Sequence, residues 1–312
     1  GDFVRREKRR VNGSTIYLTG ATASGKSALA MHLAKKLGGE IISVDSMQVY
    51  CGLNIGTAKP NAEEQSEVQH HLIDVAQLSE AFDAAQFVRL AKRASKSISD
   101  RGRIPIFCGG TGLYFRALME GLGDSPPSDE LLRNELSLIP LESLVMELKV
   151  KDPEAAKHID LKNPRRVLRA IEVIRLTGRP YSEQRIGWKN LDRAPQNLFC
   201  INREVDVLNQ RIHKRVDEMF SLGLIEETQI LIKQGLRDNR NACQALGYRQ
   251  VLDLLDGELS LESVVDKVKI KTRQFAKRQR SWFRNQMQCD LLDWPEDENV
   301  DSFCELLLGR IN

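Results

Sequence analysis

Gly-Ala-Thr-Ala-Ser-Gly-Lys-Ser, residues 20–27, directly follows the apolar run Thr15–Thr19. These eight residues fit G-x-x-x-x-G-K-[ST], the pattern of a phosphate-binding loop. Two glycines let the backbone curl so that successive N–H groups point into one concavity, and the following helix adds the positive end of its dipole. Lys26 is placed to reach terminal phosphates, and the Ser27 hydroxyl to bind Mg²⁺. The spacing predicts a diphosphate site and leaves open whether the ligand is ATP or another diphosphate.

Strand and helix patterns alternate around this loop. Thr15–Thr19 and Ile41–Val44 are predicted as short buried strands, separated by the helix Ser27–Leu37. Such a strand–helix–strand unit implies a parallel sheet. Further elements are predicted from the same periodicities: a helix at Asp83–Ser99, a strand at Ile104–Phe107, a helix around Leu113–Met119, a strand at Leu198–Ile201, and helices near Val205–Ser221, Leu224–Gln234, Ala245–Leu255 and Leu261–Gln286. The expected fold is α/β, a P-loop NTPase-like core with a parallel sheet.

A stretch without strand patterns interrupts this core. Gly121–Ser128, which contains Pro126-Pro127, is typical of a boundary. Asp129–Leu148 and Pro164–Thr177 are predicted as helices with no strand between them, so we expect an α-helical insertion domain. The expected segments are a basic N-terminal arm at 1–14, the first part of the P-loop core at 15–122, the insertion at 123–195, the core completion with a helical C-terminal region at 196–288, and an acidic tail at 289–312.

The composition, 41% hydrophobic and 29% charged, is typical of a soluble globular chain. No apolar run approaches the roughly 18 residues of a membrane span, so no membrane partner is expected. Six cysteines are scattered without a C-x-x-C pair, which argues against a zinc site and a disulfide framework and favours the reducing cytoplasm. The net charge of +3 by itself predicts no polyanionic partner, but Lys267–Arg284 contains eight Lys or Arg and no acid.

The residues that end the strands distinguish classes of P-loop protein. Asp45 follows the strand Ile41–Val44 and therefore lies at the carboxyl edge of the sheet, where such folds bind ligands. The third strand ends in Cys108-Gly-Gly-Thr-Gly, where an ATPase would hold Mg²⁺ with an acidic residue. An ATP-hydrolysing motor is therefore poorly supported, whereas a small-molecule kinase stays open at this point.

An ordered series of motifs extends over about residues 15–287. In chain order they are Gly20–Ser27, Asp45–Tyr50, Asn54–Pro60, His70–Asp74, Gly109–Tyr114, Pro164–Arg169, Gly247–Gln250 and Thr272–Gln279. Together they closely resemble tRNA dimethylallyltransferases, also called tRNA isopentenyltransferases. The C-terminal Cys/His zinc finger of eukaryotic relatives has no counterpart here, so a bacterial-type or organellar enzyme without structural zinc is expected.

The resemblance implies transfer of a dimethylallyl group. In the family, N6 of the adenosine at tRNA position 37, 3′ of the anticodon, attacks C1 of dimethylallyl diphosphate, and diphosphate leaves. The implied cofactor is Mg²⁺, and the implied partners are dimethylallyl diphosphate and the anticodon stem-loop of tRNA. We expect a cytoplasmic monomer.

The resemblance also assigns the catalytic residues Asp45, Thr111 and Lys26. Asp45 is the implied general base, because an exocyclic adenine amine is a poor nucleophile and a carboxylate can accept its proton; a supporting role beside Mg²⁺ is the alternative for Asp45. Thr111 is implied to lie near the reacting adenosine and the leaving group. The residues implied to bind the prenyl diphosphate are Gly20, Ala21, Thr22, Ala23, Ser24, Gly25, Lys26, Ser27 and Arg203. For Arg203 the alternative is a surface salt bridge with Glu204 or Asp206.

A base inside an anticodon loop must leave its stack to react. The residues implied to contact tRNA are Asp45, Ser46, Met47, Gln48, Thr111, Arg133, Arg165, Arg166, Val167, Leu168, Arg169, Gln244, Ala245, Leu246, Gly247, Tyr248, Arg249, Lys277, Arg278, Gln279, Arg280, Ser281, Trp282, Phe283 and Arg284. Basic residues attract phosphates and interleaved aromatics can stack on bases. Helical spacing nevertheless predicts that Phe275 and Trp282 pack inside.

Three other functions are weighed against this one. An adenylate isopentenyltransferase would prenylate free AMP, ADP or ATP, but a free nucleotide needs neither the helical insertion nor the basic tract Lys267–Arg284. A small-molecule kinase would consume ATP at residues 20–27. A non-enzymatic RNA-binding module would have no use for Lys26, Ser27 and Asp45 together.

Overall fold

Six parallel strands form one sheet in the described part of the chain, residues 14–120, 125–184 and 196–311 of a computed structural model. The strands are β1 (Ile16–Gly20), β2 (Gly39–Val44), β3 (His70–His71), β4 (Ile104–Gly109), β5 (Leu198–Asn202) and β6 (Asp290–Asp293). They lie in the order β3-β2-β4-β1-β5-β6, and each neighbouring pair is parallel. The predicted α/β fold with a parallel sheet is confirmed.

The strands β2 and β4 are buried along their whole length, as expected where helices cover both faces of a parallel sheet. The helices outside the predicted insertion are α1 (Lys26–Leu37), α2 (Ala62–Glu67), α3 (Ala84–Asp100), α4 (Gly112–Glu120), α9 (Val205–Ser221), α10 (Leu224–Lys233), α11 (Tyr248–Leu255), α12 (Leu261–Gln286) and α13 (Val300–Leu308). No described helix has the length and apolar character needed to cross a membrane. Most predicted elements are present with nearly the same bounds.

One predicted helix starts later than expected. The predicted helix Ala245–Leu255 begins at Tyr248, because Gly247 precedes it with φ +84°, a left-handed backbone that interrupts a right-handed helix. By contrast, the bounds predicted for Val205–Ser221 and Leu261–Gln286 agree with the structure.

Contacts divide the chain into two bodies, residues 1–116 with 194–312, and residues 117–193. The bounds of the second body, 117–193, are similar to those of the insertion predicted at 123–195. Its helices are α5 (Glu130–Ser137), α6 (Leu141–Lys151), α7 (Pro153–His158) and α8 (Pro164–Thr177). Leu136, Leu148 and Ile171 are fully buried members of its own apolar core. This body therefore has an interior separate from that of the sheet.

The single helix predicted at Asp129–Leu148 is wrong. The chain forms two helices, α5 and α6, which meet at Pro140. Proline has no backbone N–H and its ring disfavours helical backbone in the residue before it, so a helix cannot run through this position unbroken.

The acidic tail predicted at 289–312 is also wrong, because this segment completes the sheet. β6 pairs with β5, and in α13 Phe303 and Leu307 join the core formed with Leu29 and Leu33 of α1. Only Leu292 is buried in β6, so the strand carries almost no apolar pattern. An edge strand with one buried side chain is difficult to recognise from sequence.

Two of the predicted segments, the N-terminal arm and the boundary at Gly121–Ser128, lie partly outside the described residues. The predicted basic arm is described only at Ser14, and residues 121–124 of the predicted boundary are not described. The predicted roles of these segments stay predictions.

Candidate active site at the carboxyl end of the sheet

The phosphate loop connects β1 to α1. Gly20 and Gly25 have φ of +151° and +96°, which favours glycine at both positions. A Cβ on Gly20 would lie 2.7 Å from the Ile201 carbonyl oxygen, and one on Gly25 would lie 2.9 Å from Cζ3 of Trp294. Both glycines are therefore required by backbone conformation and by close neighbours.

Two side chains of this loop suit a bound anion. The Ser24 hydroxyl is buried and has no hydrogen-bond partner within the described residues, so it is left for a ligand oxygen. Lys26 Nζ donates to the Ala21 carbonyl oxygen at 3.1 Å, and burial lowers the pKa of Lys26. The first turn of α1 carries no acidic residue that would oppose an anion at its N-terminus.

Asp45 and Thr111 lie beside this loop because the strands that carry them end together. Val44 of β2 pairs with Gly109 of β4, which in turn pairs with β1 at Thr19. Burial lowers the pKa of Lys26, and the electrostatic attraction of Asp45 acts against this lowering. The structure therefore brings the three predicted catalytic residues to one edge of the sheet.

Backbone hydrogen bonds fix the turn after β2. Asp45 Oδ1 accepts from the N–H groups of Met47 and Gln48, at 2.8 and 3.1 Å. Thr111 Oγ1 accepts from the N–H of Ser46 at 3.1 Å. The Asp45 carboxylate is only partly buried, so it is oriented by the chain while an acceptor substrate can still reach it.

Gln48 and Tyr248 belong to a network that holds the segment after this turn. Gln48 Oε1 accepts from Ser43 Oγ at 2.8 Å, and its Nε2 donates to the Thr57 carbonyl at 3.0 Å. The Tyr248 hydroxyl accepts from the Gly56 N–H at 3.0 Å and donates to Glu227. These hydrogen bonds therefore hold in place the turn that carries Asp45 and the segment that follows it.

Arg203 is buried against the phosphate loop, with 6% of its surface exposed. Its Nε donates to the Ser24 carbonyl at 2.9 Å, and burial, with the nearby Arg211, lowers its pKa to about 10. The guanidinium faces the Trp294 ring, at 4.0 Å from the centroid. The alternative of a surface salt bridge with Glu204 or Asp206 is wrong, since Arg203 is buried against the loop.

Two further arginines of α9 contact the loop and were not found from the sequence. Arg211 Nε donates to the Ala23 carbonyl at 2.7 Å, and Arg215 Nη1 donates to Thr22 Oγ1 at 3.3 Å. Burial and then Arg211 lower the pKa of Arg215. Their spacing of four residues on a helix that follows β5 was the available signal, because it places both on one helix face. Like charges gathered in this way suit a ligand of high negative charge.

The fit of Mg²⁺ rests on the donor set of the loop. Mg²⁺ takes oxygen ligands, keeps several waters and is usually bound through one or two carboxylates plus substrate phosphates. The exposed Ser27 hydroxyl and the Asp45 carboxylate are oxygen donors of this kind. The described residues contain no group of three or more His, Cys, Asp or Glu suited to a metal. The residues present therefore fit a metal held mainly by a substrate.

Burial divides the residues predicted to contact RNA. Those that are exposed are Arg165, Arg166, Gln244, Arg249, Lys277, Arg278, Ser281 and Arg284. Those that are buried are Val167, Ala245, Gly247, Tyr248, Gln279 and Phe283. These six residues pack inside the protein, so their burial does not support the predicted contacts to RNA, which stay predictions.

The remaining residues of the RNA prediction are partly exposed. They are Asp45, Ser46, Met47, Gln48, Thr111, Arg133, Leu168, Arg169, Leu246, Arg280 and Trp282. Among them, Arg133 and Arg169 pair with the buried Glu172 at 3.0 and 2.7 Å, so they neutralise an internal carboxylate.

The aromatic residues of α12 differ from expectation. Phe283 is the one that is fully buried, whereas Phe275 and Trp282, which were predicted to pack inside, are only partly buried. Trp282 packs against Gly112 and under the guanidinium of Arg116, 5.1 Å from the ring centroid. The helix turns Phe283 inward because buried Ala276 and Gln279 lie on the same face, seven and four residues before it.

Known proteins resemble this chain over most of its length. A family model described as IPP transferase matches residues 48–286. A tRNA dimethylallyltransferase from Geobacillus thermodenitrificans is 44% identical over 305 residues, covering 95% of this chain and 96% of that protein. A tRNA dimethylallyltransferase 1 from Trichlorobacter lovleyi is 43% identical over 287 residues, covering 90% of this chain and 94% of that protein.

Solved structures of tRNA-prenylating enzymes also resemble this chain over most of its length. The full-length tRNA isopentenylpyrophosphate transferase from Bacillus halodurans has a TM-score of 0.68 at 40% identity and covers 96% of both chains. A eukaryotic dimethylallyltransferase acting on tRNA has a TM-score of 0.72 at 27% identity, covering 90% of this chain and 73% of that one.

Proposed function

The chain belongs to the IPP transferase family, and from this premise we propose that it transfers a dimethylallyl group from dimethylallyl diphosphate to N6 of the adenosine at tRNA position 37, 3′ of the anticodon. It is a transferase that prenylates tRNA. The observation that carries the proposal is the meeting of the phosphate loop, Asp45 and Thr111 at one sheet edge. A diphosphate site beside a carboxylate suits substitution at carbon with diphosphate as the leaving group.

Asp45 is proposed as the general base. The lone pair of N6 attacks C1 of the donor, the new N–C bond forms, and the C1–O bond breaks with its electron pair leaving on diphosphate. The proton of N6 passes to the Asp45 carboxylate. In the described chain both backbone hydrogen bonds go to Oδ1, so Oδ2 is the oxygen proposed to take the proton.

The loop is proposed to stabilise the leaving group. As the C1–O bond breaks, negative charge grows on the diphosphate, and donors fixed in advance stabilise such charge best. Lys26, the loop N–H groups other than those of Thr22 and Ser24, and the Ser24 hydroxyl are proposed to donate to it, within the field of Arg203, Arg211 and Arg215. Ser27 would help to hold Mg²⁺, which would supply further neutralisation of the charge on the leaving group.

tRNA is proposed to bind along exposed basic residues. Lys277, Arg278 and Arg284 lie on α12, and Arg165 and Arg166 begin α8. All five are exposed and are therefore available to phosphates. The monomeric state, the cytoplasmic location and the anticodon stem-loop as the bound part of tRNA stay predictions.

The decisive experiment incubates the protein with Mg²⁺, dimethylallyl diphosphate and an unmodified tRNA that carries adenosine 3′ of its anticodon. Nucleoside mass spectrometry is expected to detect N6-dimethylallyl adenosine. Parallel reactions replace the tRNA with AMP, ADP or ATP, and a further reaction replaces the prenyl donor with labelled ATP. Product only on a free nucleotide would instead support an adenylate isopentenyltransferase, and ATP consumption without prenyl transfer would support a kinase.

A further inference from the structure

Gln279 on α12 joins two loops of the candidate active site. This residue is buried, with 8% of its surface exposed. Oε1 accepts from the backbone N–H of Thr22 at 2.9 Å, and Nε2 donates to the backbone carbonyl of Gly110 at 3.0 Å. Both ends of the amide are therefore engaged by main-chain groups, one in each loop.

The two partners are important for the proposed reaction. Thr22 is the third residue of the phosphate loop, and Gly110 directly precedes Thr111. A Cβ on Gly110 would collide with Nε2 of Gln279, so the approach of this amide requires glycine there. One side chain thus sets the separation between the loop that carries Lys26 and the loop that carries Thr111.

We propose that Gln279 is a positioning residue for prenyl transfer, which fixes the phosphate loop relative to Thr111, and that it does not contact RNA. The proposal rests on the proposed function only for its kinetic consequence. The buried amide has no face available to a base, whereas its neighbours Lys277 and Arg278 are exposed. α12 thus presents basic residues to solvent and this amide to the active-site loops.

The test uses Gln279→Glu and Gln279→Ala in the full chain. Glutamate keeps the shape and the acceptor for the Thr22 N–H, but its second oxygen would face the Gly110 carbonyl, which has no proton to donate. Gln274→Ala is the matched control, because Gln274 lies exposed on the same helix. Three quantities are measured: the Kd for inorganic diphosphate with Mg²⁺ by calorimetry, the Kd for tRNA by filter binding, and kcat/KM for dimethylallyl diphosphate.

Both Gln279 variants are expected to lose about tenfold or more in diphosphate affinity and in kcat/KM, the size expected when a buried polar group loses its partner. The Kd for tRNA is expected to stay within twofold of the wild type, and the control to behave as wild type throughout. Weaker tRNA binding with unchanged diphosphate binding would overturn the proposal and make Gln279 an RNA contact. Unchanged values throughout would overturn it as well.

Two precautions keep the outcome interpretable. If Gln279→Ala does not fold, Gln279→Glu, which keeps the size of the side chain, decides the question, with folding checked by thermal unfolding. Diphosphate binding does not depend on catalysis. A wild type that binds diphosphate but prenylates nothing would therefore overturn the proposed function, and the diphosphate affinities of the variants would still decide whether Gln279 positions the phosphate loop.

Discussion

The guanidinium of Arg203 lies 4.0 Å from the centroid of the Trp294 ring, and the same indole stacks on Phe303 with ring centroids 4.5 Å apart. Arg203 in turn donates to the Ser24 carbonyl. A segment near the end of the chain therefore supports the phosphate loop near its beginning, through one cation–π contact and one hydrogen bond.

Substitution of Trp294 is expected to weaken binding of the prenyl diphosphate. A buried cation–π contact is worth about 2 kcal/mol, so Trp294→Leu is expected to raise KM for dimethylallyl diphosphate by about tenfold or more. Trp294→Phe keeps an aromatic face for Arg203 and is expected to lose less. Steady-state kinetics at saturating tRNA measure the effect. Equal KM values for the leucine and phenylalanine variants would show that the ring does not act through Arg203.

Asp45→Asn is expected to reduce the single-turnover rate of prenyl transfer by about 10²–10⁴-fold, the usual contribution of a positioned base. Asparagine keeps an oxygen for the N–H groups of Met47 and Gln48, so the turn is expected to persist. The Kd for tRNA is expected to stay close to that of the wild type. A rate near the wild-type value would remove Asp45 as the base and favour the alternative of a supporting role beside Mg²⁺.

The phosphate loop could be predicted from sequence because eight contiguous residues, 20–27, supply the glycines, the lysine and the hydroxyl that define it. Asp45 and Thr111 could be placed beside it because parallel strands end at one edge. Both inferences need only local pattern and topology. Most helices of the sheet-containing body could be predicted for the same reason.

The support of the loop could not be predicted, because it comes from side chains distant along the chain. Gln279 contacts Thr22 across 257 positions, and Arg211 contacts Ala23 across 188. The choice between a buried and an exposed basic residue depends on packing that periodicity does not specify. Gln279 and Tyr248, which the resemblance implied as RNA contacts, are both buried.

Arg211→Gln and Arg215→Gln are each expected to raise KM for dimethylallyl diphosphate by about tenfold, since hydrogen bonds that involve a charged group contribute about 1.5–3 kcal/mol. The Kd for tRNA is expected to change little. Lys214→Gln is the matched control, because Lys214 is an exposed basic residue on the same helix. A loss of tRNA affinity with unchanged KM for the donor would contradict a role at the diphosphate.

Lys277→Gln combined with Arg278→Gln is expected to weaken tRNA binding and to lower the slope of log K against log salt by about 1–2, one counterion or slightly less for each lost phosphate contact. Filter binding between 50 and 300 mM salt measures the slope. The control is Lys92→Gln with Arg93→Gln, an exposed pair of the same types on α3. An unchanged slope in the α12 variant would place the RNA-binding surface elsewhere.

Glu147 in the helical insertion provides a test of stability against pH. It pairs with Arg175 at 2.8 Å and with Lys151 at 2.9 Å, and the hydrogen bond from Arg175, followed by that from Lys151, holds its pKa at about 2. Because the folded pKa is depressed below the ordinary value of 4.5, the stabilisation is fully present above pH 4.5 and is lost as pH falls toward 2. This stabilisation is electrostatic, so a substitution that removes the negative charge of Glu147 is expected to remove the stabilisation.

Glu147→Gln is therefore expected to lower the free energy of unfolding by about 1–3 kcal/mol at pH 7. The difference from wild type is expected to shrink between pH 4.5 and pH 3, since the wild-type protein then loses the same stabilisation. Urea unfolding followed by circular dichroism at several pH values measures it. Glu142→Gln, on the same helix at an exposed position, is the control and is expected to change stability by less than about 0.5 kcal/mol. A difference that stays constant across this pH range would mean that Glu147 contributes through packing, because only a titrating carboxylate with a depressed pKa loses its stabilisation in that window.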